Sequence, residues 1–208
     1  MFTGIVQGTC RVVSVARVAP TASLGVDLEG LADGLQLGAS VAVNGCCLTA
    51  AAVNGSTARF DLIRETLATT NLGEVRPGSR VNVERSLKVG DEVGGHLLSG
   101  HVAATVPVVD VCADVGYRRL TVEIPEFWLR YLSVKGFVAL NGASLTIAEL
   151  DREHSTIAVS LIPETLARTT FGDTTTGDRL NLEIDPQTQA VVDTVRSMLP
   201  ELVGPGRS

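Results

Sequence analysis

The segment Val43-Asn44-Gly45-Cys46-Cys47-Leu48-Thr49 decides the fold, because it returns as Leu140-Asn141-Gly142-Ala143-Ser144-Leu145-Thr146. Three further blocks repeat in the same order: Phe2-Thr3-Gly4-Ile5-Val6 with Leu98-Ser99-Gly100-His101-Val102, Asp61-Leu62-Ile63-Arg64-Glu65-Thr66-Leu67-Ala68 with Ser160-Leu161-Ile162-Pro163-Glu164-Thr165-Leu166-Ala167, and Arg80-Val81-Asn82-Val83-Glu84 with Arg179-Leu180-Asn181-Leu182-Glu183. Four ordered blocks at nearly constant spacing indicate an internal duplication. We therefore predict two copies of one domain, at residues 1–96 and 97–195.

Both copies are predicted to consist of short β-strands. Apolar and polar residues alternate along segments 80–84, 120–124 and 157–161, which is typical of half-buried strands. Turn signals such as Val53-Asn54-Gly55-Ser56 and Arg76-Pro77-Gly78-Ser79 separate the strands. The sequence thus predicts a mainly β protein with two tandem, similar small closed barrels of Greek-key type.

The C-terminal tail has a different pattern. Asp185-Pro186 is a suitable cap and first-turn pair for a helix at about residues 186–203. An apolar stripe follows at helical spacing: Val191, Val192, Val195, Met198, Leu199 and Leu202. Such a stripe packs either on its own chain or on other copies, and we favour the formation of an oligomer.

Charge and composition exclude several function classes. The 208 residues carry 17 Lys and Arg against 23 Asp and Glu, a net charge of −6, and no strongly basic stretch. Nucleic acid and anionic membranes are therefore not expected as main partners. No apolar run reaches the roughly 18–20 residues of a membrane span, and no basic segment typical of a secretory signal begins the chain. We expect a cytoplasmic protein with reduced thiols.

The cysteines and histidines do not form a known metal-ligand motif. No CxxC pair occurs among Cys10, Cys46, Cys47 and Cys112. A zinc site would have to combine Cys47 with His96 and His101, whose spacing fits neither one helix face nor a known ligand box. No metal is predicted.

Two similar domains suggest two similar ligands or one pseudo-symmetric ligand. The best repeated blocks, Asn-Gly-x-x-Leu-Thr and Ile-x-Glu-Thr-Leu, place backbone amides and hydroxyls where strands end, which suits the polar edge of a heterocycle. The structural alternative is that Asn-Gly forms a hairpin turn and Glu-Thr a helix cap. Their occurrence together in both copies favours a binding role.

The copies also differ at chemically useful positions. Cys47 aligns with Ser144, His101 with Ile5, and Phe2 with Leu98. A thiol and an imidazole both titrate near enough to neutral pH for acid–base chemistry. The segment 94–101 places two histidines among glycines at the domain junction, where His96 has the alternative role of a hydrogen-bond partner of the linker.

These motifs resemble the alpha-chain type of riboflavin synthase. The resemblance covers residues 1–195 and is carried by five segments: Met1-Phe2-Thr3-Gly4-Ile5-Val6, Asn44-Gly45-Cys46-Cys47-Leu48-Thr49, Gly94-Gly95-His96-Leu97-Leu98-Ser99-Gly100-His101, Ile162-Pro163-Glu164-Thr165-Leu166 and Asp185-Pro186-Gln187-Thr188-Gln189. It implies a transferase that moves a four-carbon unit between two molecules of 6,7-dimethyl-8-ribityllumazine, giving riboflavin and 5-amino-6-ribitylamino-2,4-pyrimidinedione. It also implies no cofactor, and a homotrimer held by C-terminal helices. Each site would bind two lumazines between neighbouring subunits; association with lumazine synthase is a further expectation.

The resemblance implies two lumazine pockets. The N-terminal pocket comprises Cys47, Leu48, Thr49, Asp61, Leu62, Ile63, Arg64, Glu65, Thr66, Gly100, His101 and Val102. The C-terminal pocket comprises Gly4, Ile5, Val6, Ser144, Leu145, Thr146, Ile162, Pro163, Glu164, Thr165, Leu166 and Ala167, with Lys135 from a partner chain. The implied catalytic set is Cys47, His101, Ser40, Thr66, Asp185, His96 and Phe2.

Alternatives remain at this point. Non-catalytic relatives of the family bind lumazine or flavin as optical antennae, but their Gly-Gly-His and Ser-Gly-His segment is degraded, whereas it is intact here. A flavin reductase with a similar barrel is disfavoured because no nicotinamide- or phosphate-binding loop is present. One departure from the family concerns Asn141, where an acid is expected, so a proton-transfer role of that acid is in doubt.

Overall fold

The computed structural model describes residues 1–114 and 117–203. Twelve strands are described: β1 (Gly8–Val18), β2 (Thr21–Asp27), β3 (Ser40–Val43), β4 (Cys46–Asn54), β5 (Thr57–Leu62), β6 (Arg80–Arg85), β7 (Ala104–Asp114), β8 (Tyr117–Glu123), β9 (Phe137–Leu140), β10 (Ala143–Asp151), β11 (Thr156–Leu161) and β12 (Arg179–Glu183). Four α-helices accompany them: α1 (Arg64–Thr69), α2 (Glu126–Leu129), α3 (Pro163–Arg168) and α4 (Pro186–Val203).

The strands form two closed antiparallel barrels with the same topology. The first has the order β1-β2-β5-β4-β3-β6, and the second repeats it as β7-β8-β11-β10-β9-β12. In each barrel three hairpin-connected strands are joined by a strand that returns beside the first of them, which is a Greek-key connection. The predicted fold class is confirmed. The boundary at residues 96 and 97 stays a prediction.

Each barrel has its own core because its strands alternate. Along β5, Ala58, Phe60 and Leu62 point inward, while Arg59 and Asp61 are exposed. One apolar cluster fills each barrel, and a third, smaller cluster lies between them: Phe2, Ala42, Leu98 and Ala139. The barrels thus meet through a small apolar patch rather than through a shared core.

Asparagines and glycines bring the barrels together along a pseudo-twofold axis. The Asn82 Nδ2 donates to the Asn141 carbonyl (2.9 Å), and the Asn181 Nδ2 donates to the Asn44 carbonyl (2.8 Å). The same asparagines are held within their own barrels, since Asn44 Oδ1 accepts from the Asn82 N–H and Asn141 Oδ1 from the Asn181 N–H. The β3–β4 and β9–β10 turns therefore face each other across the axis.

Helix α4 begins as predicted and leaves most of its apolar stripe uncovered. Asp185 accepts hydrogen bonds from the Thr188 N–H (3.1 Å) and hydroxyl (2.6 Å), which caps the helix. Val192 packs against the second barrel, whereas four members of the stripe are exposed: Val191, Val195, Met198 and Leu199. The side chain of Leu202 lies outside the described part of the chain. None of the described helices is long and apolar enough to cross a membrane.

The turn glycines generate a stability prediction. A Cβ on Gly142 would lie 2.7 Å from the Gly45 N and 2.8 Å from its Cα, whereas one on Gly55 would meet nothing within 4 Å. Both residues have positive φ, so alanine costs about 1–2 kcal/mol of backbone strain at either position. Gly142→Ala should cost a further ~1–3 kcal/mol because it pushes the barrels apart. Denaturant unfolding of both variants measures the difference; equal losses would contradict the close approach.

Candidate functional site

The two barrels exchange the segments that precede their first strands. Phe2 and Leu98 form an antiparallel bridge with reciprocal 2.9 Å hydrogen bonds. Beyond this bridge, Val6 packs into the core of the second barrel and Val102 against the core of the first. We call residues 1–6 the first arm and residues 97–102 the second arm. Each arm thus lies against the barrel that it does not lead into.

Each arm contacts one of the two aligned residues Cys47 and Ser144. The Cys47 N–H donates to the Gly100 carbonyl (2.9 Å), and the Ser144 N–H donates to the Gly4 carbonyl (2.8 Å). Gly4 and Gly100 have φ of +74° and +79°, and a Cβ on either would lie 2.5 Å from the Cβ of its partner. Only glycine fits at these two positions, so the arms lie in close contact with the Cβ and backbone nitrogen of Ser144 and Cys47.

A buried carboxylate holds each arm. Glu84 Oε1 accepts from the Thr3 N–H (2.6 Å) and hydroxyl (2.8 Å), and its Oε2 accepts from the Gly4 N–H (3.0 Å). Glu183 Oε1 accepts from the Ser99 N–H (2.7 Å) and hydroxyl (2.8 Å), and both of its oxygens lie 3.2 Å from the Gly100 nitrogen. Burial raises the pKa of both carboxyls, although these hydrogen bonds act in the opposite direction.

His96 lies beside the first arm and contacts Ser144. Its Nδ1 is 2.6 Å from the Ser144 Oγ, and its ring stacks on Phe137 with centroids 4.9 Å apart. The side chain is buried, and its Nε2 has no partner among the described residues. Burial lowers the pKa of His96, with the Asp185 carboxylate opposing the shift. A neutral imidazole is therefore held against the hydroxyl.

A cavity of about 460 Å³ opens beside Ser144 on the second barrel. Its lining includes seven of the residues that the resemblance implies for the C-terminal pocket: Gly4, Ile5, Val6, Ser144, Ile162, Glu164 and Thr165. It also includes Gln7, Ala143, Arg168 and Thr169, which sequence reasoning did not name. The first arm, β10 and α3 thus meet at one concave surface. Lys135 lies in the turn before β9, where its N–H donates to the Ile147 carbonyl (2.8 Å), and is not part of this lining.

On the first barrel, the other set of implied residues occupies the topologically equivalent elements. Cys47 is half-buried against the small cluster between the barrels, and His101 is exposed, with its N–H donating to the Ser99 hydroxyl (3.2 Å). Ser40 pairs with Thr49 across β3 and β4. The remaining implied residues lie on β5, in the following turn and on α1: Asp61, Leu62, Ile63, Arg64, Glu65 and Thr66.

Several implied residues point away from these surfaces. Leu48, Leu62 and Leu145 are core residues of their barrels, so they can offer a ligand only their backbone. Phe2 is buried between the barrels. Asp185 serves as the cap of α4, as described above.

Of the two structural roles considered for the repeated blocks, the Asn-Gly pairs have theirs and the Glu-Thr pairs do not. Asn44-Gly45 and Asn141-Gly142 do form two-residue hairpin turns with positive φ. The Glu-Thr pairs are not caps, because the cap residues are Ile63 and Ile162, neither of which makes a side-chain cap hydrogen bond. The Asn141 Oδ1 accepts from the Asn181 N–H (2.8 Å) and from the Asn71 Nδ2 (3.0 Å). It therefore acts in the contact between the barrels.

Among the described residues, no group of three or more His, Cys, Asp or Glu side chains could hold a metal ion.

Comparisons with known proteins agree with this architecture. A family model described as "Lumazine binding domain" matches residues 3–86 and 99–185. The riboflavin synthase of Escherichia coli (strain K12) is 48% identical over 201 residues, covering 96% of this chain and 93% of the relative. The riboflavin synthase of Chlamydia pneumoniae is 44% identical over 200 residues, with coverages of 96% and 97%. The chain belongs to the riboflavin synthase family of lumazine-binding proteins.

A solved structure of the same fold is LumP complexed with 6,7-dimethyl-8-(1'-D-ribityl) lumazine. Its TM-score is 0.79 at 25% identity, and the match covers 88% of this chain and 98% of that chain. This chain therefore shares its duplicated barrels with a protein solved in complex with the lumazine.

Sequence reasoning about this family member missed three residues. Glu84 and Glu183 close the last repeated block, so their recurrence was a usable signal, but nothing in the sequence shows that they reach the arms. Phe137 occupies the position on β9 that Ser40 occupies on β3, since they pair with Thr146 and Thr49 respectively. The two copies differ here as well, and the aromatic ring supports His96.

The shifted pKa of His96 predicts a pH dependence of stability. The pKa lies below its ordinary value of 6.5 in the folded chain, so the unfolded chain binds more protons as the pH falls below that value. The stability that neutral His96 contributes is complete above pH 6.5 and is lost as the pH falls toward the folded pKa. The free energy of unfolding of the wild type, relative to His96→Gln, should therefore decrease between about pH 7 and about pH 5. An imidazole that titrates by NMR at or above its ordinary value would contradict this.

Proposed function

We propose that this chain is a riboflavin synthase that converts two molecules of 6,7-dimethyl-8-ribityllumazine into riboflavin and 5-amino-6-ribitylamino-2,4-pyrimidinedione. The observation that carries the proposal is the pair of equivalent surfaces, one with Cys47 and His101 and one with Ser144 and Ile5, in a chain 48% identical to a riboflavin synthase. One reaction consumes two copies of one molecule, and the duplicated fold offers two similar surfaces for it.

The proposed reaction is a transfer of four carbons between identical molecules. Both products together contain the same atoms as two lumazines, so the overall conversion requires no added oxidant, reductant or water. We therefore propose a cofactor-independent transferase. Holding both rings in one site replaces a bimolecular encounter and can supply much of the acceleration.

The proposed chemistry starts at the acidic methyl group on the pyrazine ring of one lumazine. His101, exposed on the second arm, assists in removing its proton, and the carbanion attacks the second lumazine, which Cys47 polarises or to which it adds. Ser40 and Thr66 orient groups around them, and Asp185 does so from the start of α4. His96 and Phe2 shape the site.

Only the first surface carries the Cys47 thiol and the exposed His101 imidazole; at the second surface the imidazole is that of His96, which is buried against Ser144. Ser144 and Ile5 occupy the equivalent places on the second barrel, and neither titrates near neutral pH. The unequal side chains give the two bound lumazines different environments. This difference supports one molecule acting as donor and the other as acceptor.

We further propose a cytoplasmic homotrimer held by the exposed stripe of α4. In this assembly the N-terminal barrel of one subunit faces the C-terminal barrel of a neighbour, so that Cys47 and Ser144 of different chains share a site. Lys135 would then reach the C-terminal pocket from the partner chain. Association of the trimer with lumazine synthase is part of the same proposal.

A binding role without catalysis is the second candidate, since LumP with the same fold binds the lumazine. The intact Gly95-His96 and Gly100-His101 segments favour the enzyme. The purified protein should convert added lumazine into riboflavin without metal or reductant, measured by fluorescence. A protein that purifies with stoichiometric bound fluorophore and does not convert lumazine would instead support an antenna.

Replacement of Cys47 tests its proposed role. Cys47→Ser should lower the single-turnover rate by about 10²-fold or more, because a serine hydroxyl is a far weaker nucleophile than a thiolate at neutral pH. Cys112→Ser is the matched control, since Cys112 is exposed on β7 and should retain the wild-type rate. An unchanged rate and an unchanged ligand affinity for Cys47→Ser would remove Cys47 from the mechanism.

The stripe of α4 tests the proposed trimer. Val195→Glu places a charge on the stripe, whereas Ser197→Glu places the same charge on another face of the helix; both parent residues are exposed in the single chain. Analytical ultracentrifugation should show monomers for Val195→Glu and trimers for Ser197→Glu, with activity lost only in the former. A wild-type monomer that is fully active would contradict the shared site.

A further inference from the structure

We propose that Glu84 and Glu183 are positioning residues that act crosswise: the carboxylate of each barrel builds the lumazine surface of the other barrel. Glu183 of the second barrel would fix the surface around Cys47 and His101. Glu84 of the first barrel would fix the surface around Ser144 and Ile5. The role in turnover rests on the proposed function, whereas the role in local structure does not.

An unbroken series of hydrogen bonds connects Glu183 to the first barrel. Its carboxylate holds Ser99 and Gly100 through the hydrogen bonds described above, and the Gly100 carbonyl in turn accepts from the Cys47 N–H. The Ser99 hydroxyl donates to Glu183 and accepts from the His101 N–H. One carboxylate on β12 therefore sets the position of the second arm against Cys47. It also sets the backbone position of His101, through the Ser99 hydroxyl.

The connection from Glu84 mirrors this arrangement in the opposite direction. Its carboxylate on β6 holds Thr3 and Gly4, and the Gly4 carbonyl accepts from the Ser144 N–H. The Thr3 hydroxyl donates to Glu84 and accepts from the Ile5 N–H (3.2 Å). Gly4 and Ile5 both line the cavity beside Ser144.

A carboxylate suits this task better than an amide. Each arm presents two N–H groups and one hydroxyl to the two carboxylate oxygens, and a carboxylate accepts at both oxygens. A glutamine would turn an NH₂ group toward a backbone N–H, leaving that donor unpaired in a buried place. Glu→Gln therefore releases the arm with little change in the volume of the side chain.

Thiol labelling of the full-length protein distinguishes crosswise from local action. In a Cys112→Ser background, Cys47 is the half-buried thiol that reports on the second arm. Burial raises the pKa of Cys10 to about 11 and that of Cys46 to about 12, so both react slowly. The mirror probe is a thiol introduced by Ser144→Cys in a Cys47→Ser, Cys112→Ser background. Iodoacetamide labelling is followed by mass spectrometry.

The two variants are expected to have opposite effects on the labelling rates at positions 47 and 144. Glu183→Gln should accelerate labelling at position 47 about tenfold, the factor for losing one charge-assisted hydrogen bond, and Glu84→Gln should leave it nearly unchanged. At position 144 the two variants should exchange their effects. Both should lower turnover of 6,7-dimethyl-8-ribityllumazine, because each removes one of two required surfaces.

Two results would overturn the proposal. Equal acceleration at both positions by either variant would mean general loosening, and acceleration only within the barrel that carries the substitution would mean local action. Ser99→Ala and Thr3→Ala each remove the two hydrogen bonds of one hydroxyl but leave the backbone N–H bonds to the carboxylate, so they provide milder versions of the same comparison if a glutamine variant does not fold. A wild-type protein without synthase activity but with the crosswise labelling pattern would contradict the proposed function and leave the structural role of the two carboxylates standing.

Discussion

The exchange of arms between the barrels is the constraint on which the candidate site depends. Neither barrel completes its own surface: the backbone next to Cys47 comes from residues 97–102, and the backbone next to Ser144 comes from residues 1–6. The arms are fixed by the Phe2–Leu98 bridge in the middle and by Glu84 and Glu183 on either side. Buried carboxylates that accept several backbone N–H groups form strong, directional contacts. Each surface is therefore a property of the two-barrel unit.

The backbone arrangement of the two halves is symmetric, but the reactive side chains attached to it are not. Glu84 and Glu183, Gly4 and Gly100, and the hairpin asparagines occur in equivalent places, because they set backbone geometry that both halves require. Other equivalent positions differ: the Cys47 thiol against the Ser144 hydroxyl, the His101 imidazole against the sec-butyl group of Ile5, and the Ser40 hydroxyl against the Phe137 ring. His96 has no counterpart in the first half. The residues that set the backbone geometry and the residues that differ in chemistry thus occupy separate positions.

The sequence predicted the repeat, the strands, the barrels and α4, because each leaves a local signal: alternation, turn residues, or a capped apolar stripe. Seven residues of the cavity lining near Ser144 were named from the family resemblance rather than from a local pattern, whereas Gln7, Ala143, Arg168 and Thr169 were not named. The sequence could not predict that Leu48 and Leu145 point into the cores, which depends on strand register, or that Glu84 reaches Thr3 across 81 positions. Long-range hydrogen bonds carry no periodicity in the chain. The role of Phe137 was hidden for the same reason, as it appears only when β9 and β3 are superposed.

The bridge between Phe2 and Leu98 has an evolutionary consequence. A single-repeat ancestor could build the same paired unit only from two identical polypeptides, and every substitution in its gene would then change both binding surfaces at once. Joining the repeats in one reading frame gives each surface its own codons. A cysteine can then arise on one side while a serine persists on the other, and directionality becomes accessible to mutation one position at a time.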